Sequence, residues 1–205
     1  MRGIFVVLEG GDGAGKSTQV RRLTEWLNSA GHPCVATFEP GDGAVNAEIR
    51  RILLSRETDE LSPRAEALLF AADRAQHVDT LIGPAMERGE LVVSDRYVDS
   101  TLAYQGAGRI LQHAEVATLN DWATGGLVPD LTVLLDLDPA DGRAPAGEPD
   151  RIESAGAEFH QRVREEFLAL AARAPQRYLV LPARQSQDEI AAAVRSRVEE
   201  LLCQR

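Results

Sequence analysis

One glycine-rich segment near the start of the chain limits the folds that this sequence can adopt. The segment runs from Gly10 to Thr18, reads GGDGAGKST and satisfies the pattern GxxxxGK[ST]. A short apolar run from Ile4 to Leu8 precedes it, and an amphipathic stretch that begins at Lys16 follows it. Between a strand and a helix, such glycines let backbone N–H groups turn inward around a phosphate, and the helix N-terminus adds positive charge. The motif therefore predicts a P-loop at 10–18 that binds a nucleoside triphosphate.

Every residue of this segment is a candidate contact for the triphosphate: Gly10, Gly11, Asp12, Gly13, Ala14, Gly15, Lys16, Ser17 and Thr18. Lys16 can reach the outer phosphates, and the Ser17 hydroxyl can ligate Mg²⁺. Asp95, which follows a later apolar run, is a second candidate partner for Mg²⁺. Next to it, Arg96 offers a planar charged fork for a phosphate, although an Asp–Arg ion pair that caps the following helix is the structural alternative.

Five short apolar runs predict a parallel sheet. Three are rich in β-branched residues, Ile4–Leu8, Leu91–Val93 and Leu131–Leu135, and two are weaker, Cys34–Phe38 and Tyr178–Leu181. Each run is too short for a helix, and amphipathic stretches separate them. We therefore predict an α/β fold, a doubly wound five-stranded parallel sheet flanked by helices.

The stretches between these runs predict the helices. Ser62 is a candidate N-cap, because Pro63 can occupy the first helical position after it. The helices are expected at Lys16–Ser29, Val45–Leu54, Pro63–Arg88, Ala157–Arg173 and Ser186–Cys203, with one or two more between Ser100 and Ala123. Residues 138–150 are polar and rich in proline and glycine, which indicates a surface loop within one domain, 1–205.

Composition narrows the classes of partner. The chain has 205 residues, of which 44% are apolar, enough for one domain with its own core. Its formal net charge of −10 opposes general binding to nucleic acid or to anionic membranes. Cys34 and Cys203 have no disulfide or zinc spacing. The first residues lack the length and flanks of a signal peptide or membrane span, so we expect a cytoplasmic protein.

Five blocks along the chain carry a resemblance to a known family. In chain order they are 5–18 (FVVLEGGDGAGKST), 39–41 (EPG), 68–74 (LLFAADR), 95–106 (DRYVDSTLAYQG) and 150–153 (DRIE) ahead of Phe159. Over essentially its whole length the chain resembles the thymidylate kinases, which are P-loop nucleoside monophosphate kinases. The resemblance implies transfer of the γ-phosphoryl group of ATP to dTMP with Mg²⁺, which gives dTDP for dTTP synthesis. It also implies a homodimer.

The same resemblance implies a site for dTMP. Its members are Asp12, Glu39, Phe70, Arg74, Arg96, Thr101, Tyr104 and Gln105. Phe70 provides a flat face for a pyrimidine ring, and Arg74 lies one helical turn further on, where it can donate to a base carbonyl. Arg96 is expected to hold the acceptor phosphate, and Tyr104 to crowd the position of a 2′-hydroxyl. Judged from the residues alone, Phe70 is more often a helix core residue.

The resemblance further implies a mobile lid at about 138–152, with Lys16, Arg96, Arg143 and Arg151 as the catalytic group. The chain departs from the family pattern at Phe38, where relatives commonly carry arginine, and in the absence of arginine between the P-loop glycines. These departures motivate the hypothesis that turnover is modest or that another side chain substitutes, with Arg109 as the candidate.

Two other hypotheses about function stay open. One is a kinase for another monophosphate, such as deoxyuridylate, deoxycytidylate or a purine nucleotide, although Arg74 and Gln105 favour thymine or uracil. The other is a P-loop protein that binds nucleotide without catalysing transfer. A GTPase is disfavoured, because the sequence has no Asn-Lys-x-Asp stretch for guanine.

Overall fold

The computed structural model describes residues 2–55, 61–108, 112–141 and 150–204. The strands in these ranges are β1 (Phe5–Gly10), β2 (Cys34–Phe38), β3 (Leu91–Asp95), β4 (Leu131–Asp136) and β5 (Tyr178–Pro182). They form one five-stranded sheet in the order β2-β3-β1-β4-β5, and every neighbouring pair is parallel. The predicted fold class is therefore confirmed.

Eight α-helices are described: α1 (Lys16–Ser29), α2 (Ala44–Leu54), α3 (Pro63–His77), α4 (Gly83–Glu87), α5 (Val98–Thr101), α6 (His113–Thr124), α7 (Ala157–Arg173) and α8 (Gln187–Cys203). The predicted bounds of α1 and α7 are confirmed, and Ser62 caps α3 by accepting from the Ala65 N–H at 3.3 Å. No helix within the described ranges is long and apolar enough to cross a membrane.

The prediction of one continuous α-helix over Pro63–Arg88 is wrong, because the structure interrupts it near the middle. A π-helical turn at Val78–Ile82 separates α3 from α4. Pro84 has no N–H with which to continue the α-helical ladder, and the N–H of Gly83 bonds to the carbonyl of Val78, five residues back. A second π-helical segment, Leu102–Gly108, continues α5.

Side chains of the central strand β1 alternate between two cores. Val6 packs into a cluster that includes Leu27 of α1 and Val198 of α8. Val7 points to the opposite face and packs with Ile82. Because helices cover both faces, all six residues of β1 are buried.

The carboxyl ends of the strands meet at one edge of the sheet, where open α/β proteins bind ligands. Leu8 in β1 is in register with Asp95 in β3, and Phe38 in β2 is in register with the same residue. Gly10 pairs with Leu135 in β4. This edge therefore gathers the P-loop, the Glu39 loop and the Asp95-Arg96 pair.

Candidate active site

The P-loop connects β1 to α1 through three glycines with positive φ. Their φ values are 136° at Gly10, 75° at Gly13 and 94° at Gly15, a region that side chains with a Cβ rarely adopt. The Lys16 ammonium donates to the carbonyls of Gly10 at 3.0 Å and Gly11 at 2.8 Å. Burial and the nearby Arg96 guanidinium lower the pKa of Lys16 to about 8. The structure thus holds a desolvated lysine against the loop that the motif predicts for phosphate.

Ser17 and Asp95 bring two hard oxygen donors together beside the P-loop. The Ser17 hydroxyl donates to Asp95 Oδ2 at 2.5 Å, which links the start of α1 to the end of β3. A hydroxyl and a carboxylate suit Mg²⁺, which keeps several waters and takes few protein ligands when it travels with phosphates. The donor set therefore fits the predicted metal partner of a nucleotide.

A large cavity of about 1070 Å³ opens on the P-loop. It extends from Gly11 and Gly13 along the end of β4, at Asp136, to α7. Arg164 of α7 bonds to both oxygens of Asp136, at 2.7 and 3.1 Å, and so ties this wall to the sheet. The volume lies at the upper end of the range for small-molecule sites and is ample for a nucleoside triphosphate.

A second, smaller cavity of about 150 Å³ lies beside the first. Asp12, Tyr104 and Glu153 line both cavities, so the two meet at these residues. Arg96 lines the smaller one, next to the junction.

The Arg96 guanidinium is held by groups from three directions. It donates to Asp12 Oδ1 at 2.5 Å and to Ser100 Oγ at 3.0 Å, and it lies 5.1 Å from the centre of the Tyr104 ring. The Tyr104 hydroxyl donates to the other oxygen of Asp12 at 3.0 Å. Burial alone raises the pKa of Asp12, but Arg96 and Lys16 outweigh it and lower the pKa below its usual value. Asp12 is therefore an anion at the place where an acceptor phosphate would compete for Arg96.

The backbone of Arg96 is itself unusual. Its φ of 76° is the only positive value at a non-glycine residue in the described ranges. Its N–H donates to the carbonyl of Leu8 at 2.9 Å, and its carbonyl accepts from the Ser94 hydroxyl at 2.8 Å. Two bonds at this turn offset backbone strain that aims the side chain at the cavity junction.

Glu9 is a functional residue that the sequence reasoning missed. It is fully buried and accepts hydrogen bonds from the N–H groups of Tyr97 at 2.8 Å and Ser100 at 3.2 Å. The Ser100 hydroxyl donates to it as well, at 2.6 Å. Burial, followed by the nearby Asp99, raises the pKa of Glu9. Glu9 therefore fixes the segment that carries Arg96 and its Ser100 partner, and its place at the end of a strand ahead of the P-loop was the available signal.

Seven of the eight residues predicted for dTMP line the smaller cavity: Asp12, Glu39, Phe70, Arg96, Thr101, Tyr104 and Gln105. The eighth, Arg74, lies behind the wall. Its side chain is 1% exposed, and its guanidinium donates to Glu39, to the carbonyl of Tyr97 at 2.9 Å and to the side chains of Thr101 and Asn120. In this structure Arg74 supports the cavity rather than facing it.

Arg74 fixes the orientation of Glu39 together with His77. Arg74 Nε donates to Glu39 Oε2 at 2.9 Å, and His77 Nδ1 lies 2.9 Å from Glu39 Oε1. Both carboxylate oxygens thus have partners, which holds the Glu39 side chain at the cavity edge.

Arg50 is the second residue that sequence reasoning missed. It extends from α2 to line the smaller cavity and donates to the carbonyl of Pro40 at 2.6 Å. Its guanidinium lies 5.8 Å from the ring centre of Phe38, the residue at which the sequence analysis found a departure from the family pattern. Gly41 leaves room for it, since a Cβ there would lie 2.5 Å from Arg50 Cδ. Arg50 therefore supplies a second cation, besides Arg96, to the smaller cavity.

Arg151, the one arginine predicted for the lid that lies within the described residues, does not line the P-loop cavity. Arg151 pairs with Glu66 at 2.5 Å and donates to the carbonyl of Leu53 at 3.0 and 3.2 Å, with only 8% of its side chain exposed. Arg143 and Arg109 lie outside the described residues, as does most of the predicted lid, 142–149. We therefore leave Arg151 out of the catalytic group.

Two adjoining cavities distinguish this arrangement from that of a P-loop protein that binds a triphosphate alone. One cavity adjoins the phosphate loop, and the other presents Arg96 and Arg50 beside an aromatic face, Phe70. A phosphorylated acceptor with a flat base suits the second cavity. The fold and the site place the chain in the class of P-loop nucleoside monophosphate kinases.

Comparisons with known proteins narrow this class. The sequence model of the thymidylate kinase family matches residues 8–194. The chain is 58% identical over 202 residues to the thymidylate kinase of Cutibacterium acnes (strain DSM 16379 / KPA171202), with 98% of this chain and 99% of the relative covered. It is 53% identical over 206 residues to that of Clavibacter michiganensis subsp. michiganensis (strain NCPPB 382), with coverages of 98% and 97%. The chain belongs to the thymidylate kinase family.

A solved structure agrees. The crystal structure of thymidylate kinase from Ehrlichia chaffeensis is similar to this one with a TM-score of 0.79 and 29% sequence identity. The alignment covers 97% of this chain and 99% of that one. The resemblance drawn from the five sequence blocks is therefore confirmed.

Proposed function

We propose that this chain phosphorylates dTMP to dTDP with ATP and Mg²⁺, a step in dTTP synthesis. The observation that carries the proposal is the junction of the two cavities at Asp12 and Tyr104, with Arg96 beside it. A triphosphate on the P-loop and a monophosphate on Arg96 would bring donor and acceptor phosphates together at this junction. Holding the two reactants in line supplies much of the rate in phosphoryl transfer.

Arg96 and Arg50 are proposed to bind the acceptor phosphate. Arg96 now donates to the Asp12 carboxylate, and a phosphate dianion would take over these donors. Asp12 then remains close to the acceptor sugar and keeps its bond from Tyr104. Tyr104 stands next to this position and favours a deoxyribose by its bulk.

Phe70 and Gln105 are proposed to recognise the base. Phe70 offers its ring to the cavity, and Gln105 presents a side-chain amide there. Thr101 and Glu39 complete the same wall. Arg74 serves this wall from behind, through its contacts with both of them.

Lys16 and Arg96 are proposed as the described residues that stabilise charge on the transferred group. Lys16 would exchange its two loop carbonyls for phosphate oxygens. Mg²⁺, when bound through Ser17 and Asp95, neutralises phosphate charge. Arg143 and a lid at about 138–152 remain predictions, and replacement of Arg143 with alanine tests the first. No side chain is required as a nucleophile.

We also propose that the chain works as a cytoplasmic homodimer. Helices α3 and α6 pack against each other, and each exposes a large apolar side chain, Leu68 at 57% and Trp122 at 80%. A second copy that covers these residues would remove the apolar surface from water. The cytoplasm is where the small-molecule substrates ATP and dTMP are available.

The activity is tested with purified protein, Mg-ATP and each deoxynucleoside monophosphate in parallel, with chromatographic detection of diphosphate products. We expect dTMP to be converted well ahead of dUMP, dCMP, dAMP and dGMP. An Arg96→Met variant should still bind ATP but lose phosphoryl transfer, because the substitution removes the cation proposed to bind the acceptor phosphate. ATP binding by the parent without any diphosphate product would reject the kinase in favour of a nucleotide-binding protein, and preferential conversion of another monophosphate would reassign the substrate.

A further inference from the structure

Three buried side chains, Arg151, Glu66 and Gln105, are linked by polar contacts. Gln105 lines the smaller cavity, which is the proposed acceptor cavity. Arg151 Nη2 lies 2.5 Å from Glu66 Oε2, and Glu66 Oε1 accepts from the Gln105 amide nitrogen Nε2 at 2.9 Å. The exposed fractions are 1% for Glu66, 1% for Gln105 and 8% for the Arg151 side chain. Glu66 belongs to α3 and Gln105 to the π-helical segment after α5, so the contacts join three distant parts of the chain.

Glu66 determines which way the Gln105 amide points. A glutamine amide has a donor end and an acceptor end, and the two can exchange by rotation about the last side-chain bond. An ionised carboxylate only accepts hydrogen bonds, so it selects the orientation in which Nε2 faces Glu66. The amide oxygen is then the group that Gln105 offers to a ligand in the cavity.

Arg151 holds the Glu66 carboxylate in place for this selection. Its guanidinium lies 2.5 Å from Glu66 Oε2, and a buried carboxylate that loses such a partner is strongly destabilised. The same guanidinium donates twice to the carbonyl of Leu53 at the end of α2, which anchors it independently of Glu66. Arg151 therefore acts on the acceptor side of the site rather than on the triphosphate.

An amide oxygen discriminates between pyrimidines by the hydrogen on N3. Thymine and uracil carry an N3–H, which donates to that oxygen, whereas cytosine has a bare N3 that repels it. We propose that Glu66 and Arg151 are specificity-determining positioning residues, which hold the Gln105 amide so that its oxygen selects imide bases over cytosine. This inference rests on the proposed function, since it names the groups that set base selectivity in the same cavity.

The test replaces Glu66 with glutamine, which has the same shape but both donates and accepts, so the Gln105 amide can rotate. We expect the kcat/KM ratio of dTMP to dCMP to fall about tenfold, the effect of one net hydrogen bond. The ratio of dTMP to dUMP should stay unchanged, because these two bases share the imide edge. A purely structural role for Glu66 would lower the activity toward all three substrates together.

A double-mutant cycle shows whether Glu66 acts through Gln105. Gln105→Met removes the amide, and in this background E66Q should no longer change the dTMP to dCMP ratio. Arg151→Lys keeps the charge without the planar fork, and should lower the same ratio less than E66Q does. This milder variant also covers the case in which E66Q does not fold, which melting temperatures report.

Two results would overturn the inference. One is an E66Q protein that folds and keeps the parental dTMP to dCMP ratio. The other is an Arg151→Lys protein whose KM for ATP rises while that ratio stays at the parental value, which would return Arg151 to the triphosphate. A parent protein with no activity on dTMP would instead contradict the proposed function, so the two failures are distinguishable.

Discussion

Burial of Lys16 couples triphosphate binding to proton uptake. Its ammonium donates to the two loop carbonyls of Gly10 and Gly11, and burial together with Arg96 lowers the pKa of Lys16 to about 8. A bound triphosphate favours the charged form and raises this pKa again. Below the free pKa the lysine is already protonated, so binding takes up no proton there. Above it, each binding event must protonate Lys16, so the affinity for ATP should fall as pH rises.

We therefore predict that ATP binding weakens by up to about tenfold per pH unit above pH 8. Phosphate groups lose their last proton near about pH 6, so ATP itself contributes little to this slope. Titration calorimetry in buffers with different ionisation enthalpies should show an uptake approaching one proton at about pH 9 and almost none at about pH 6.5. Equal heats in all buffers at the higher pH would contradict the assignment.

Arg50 and its neighbour Arg51, both in α2, allow a comparison of two matched variants. Arg50 lines the acceptor cavity, whereas Arg51 pairs with Glu48 on an exposed face. We predict that Arg50→Ala raises KM for dTMP about tenfold, the effect of one charge-assisted bond, with little change in kcat. Arg51→Ala should leave both constants unchanged. Steady-state kinetics at saturating ATP give the comparison, and equal KM values for the two variants would remove Arg50 from the site.

At the scale of elements, the junction of β1 with the P-loop is fixed by Gly10. Its φ is 136°, and a Cβ there would lie 2.4 Å from the carbonyl oxygen of Leu135 in β4. Gly31 also has a positive φ, 81°, but no atom lies within 4 Å of its Cβ position. Alanine substitutions at Gly10 and Gly31 therefore separate the cost of a left-handed backbone from the cost of a steric clash with Leu135.

We predict that Gly31→Ala costs about 1 kcal/mol of unfolding free energy, the effect of a left-handed backbone alone. Gly10→Ala should cost about 3 kcal/mol, near the top of the usual range for single substitutions, and should also abolish ATP binding. Urea unfolding measures the free energies. A Gly10→Ala protein as stable as the Gly31→Ala control would show that β1 and β4 separate easily.

Local pattern accounts for the elements that the sequence predicted correctly. The three central strands follow from short apolar runs that are buried between helices, and the edge strands β2 and β5 from weaker runs that are only partly buried. The P-loop follows from contiguous residues. The π-helical turn at Val78–Ile82 was not predicted. Pro84 indicates that the α-helical hydrogen bonding is interrupted near it, but it does not indicate which conformation the backbone adopts there.

The site was harder to predict where partners are distant in sequence. Arg151 was assigned to the triphosphate from its position at the end of the predicted lid, yet it pairs with Glu66 on α3. Glu9 directly precedes the P-loop and Arg50 carries no motif, but the role of each appears only when β3 and α2 are placed beside the cavity. Residue type and spacing predicted the cavity wall well, but not which arginines would face the ligand.

For the whole molecule, the exposed apolar residues of α3 and α6 give the proposed homodimer a measurable signature. The chain has two tryptophans, and Trp26 packs partly buried against the core whereas Trp122 is 80% exposed in one protomer. In a Trp26→Phe variant, Trp122 is the single reporter of its own surface. We expect blue-shifted emission at high protein concentration, because a second copy removes the indole from water, and a red shift on dilution.

Light scattering behind a sizing column should give twice the chain mass, and Trp122→Arg should give the mass of one chain, since a charge at a buried interface is costly. A single-chain mass at every concentration, with emission that dilution does not change, would mean that these residues face solvent in the working enzyme.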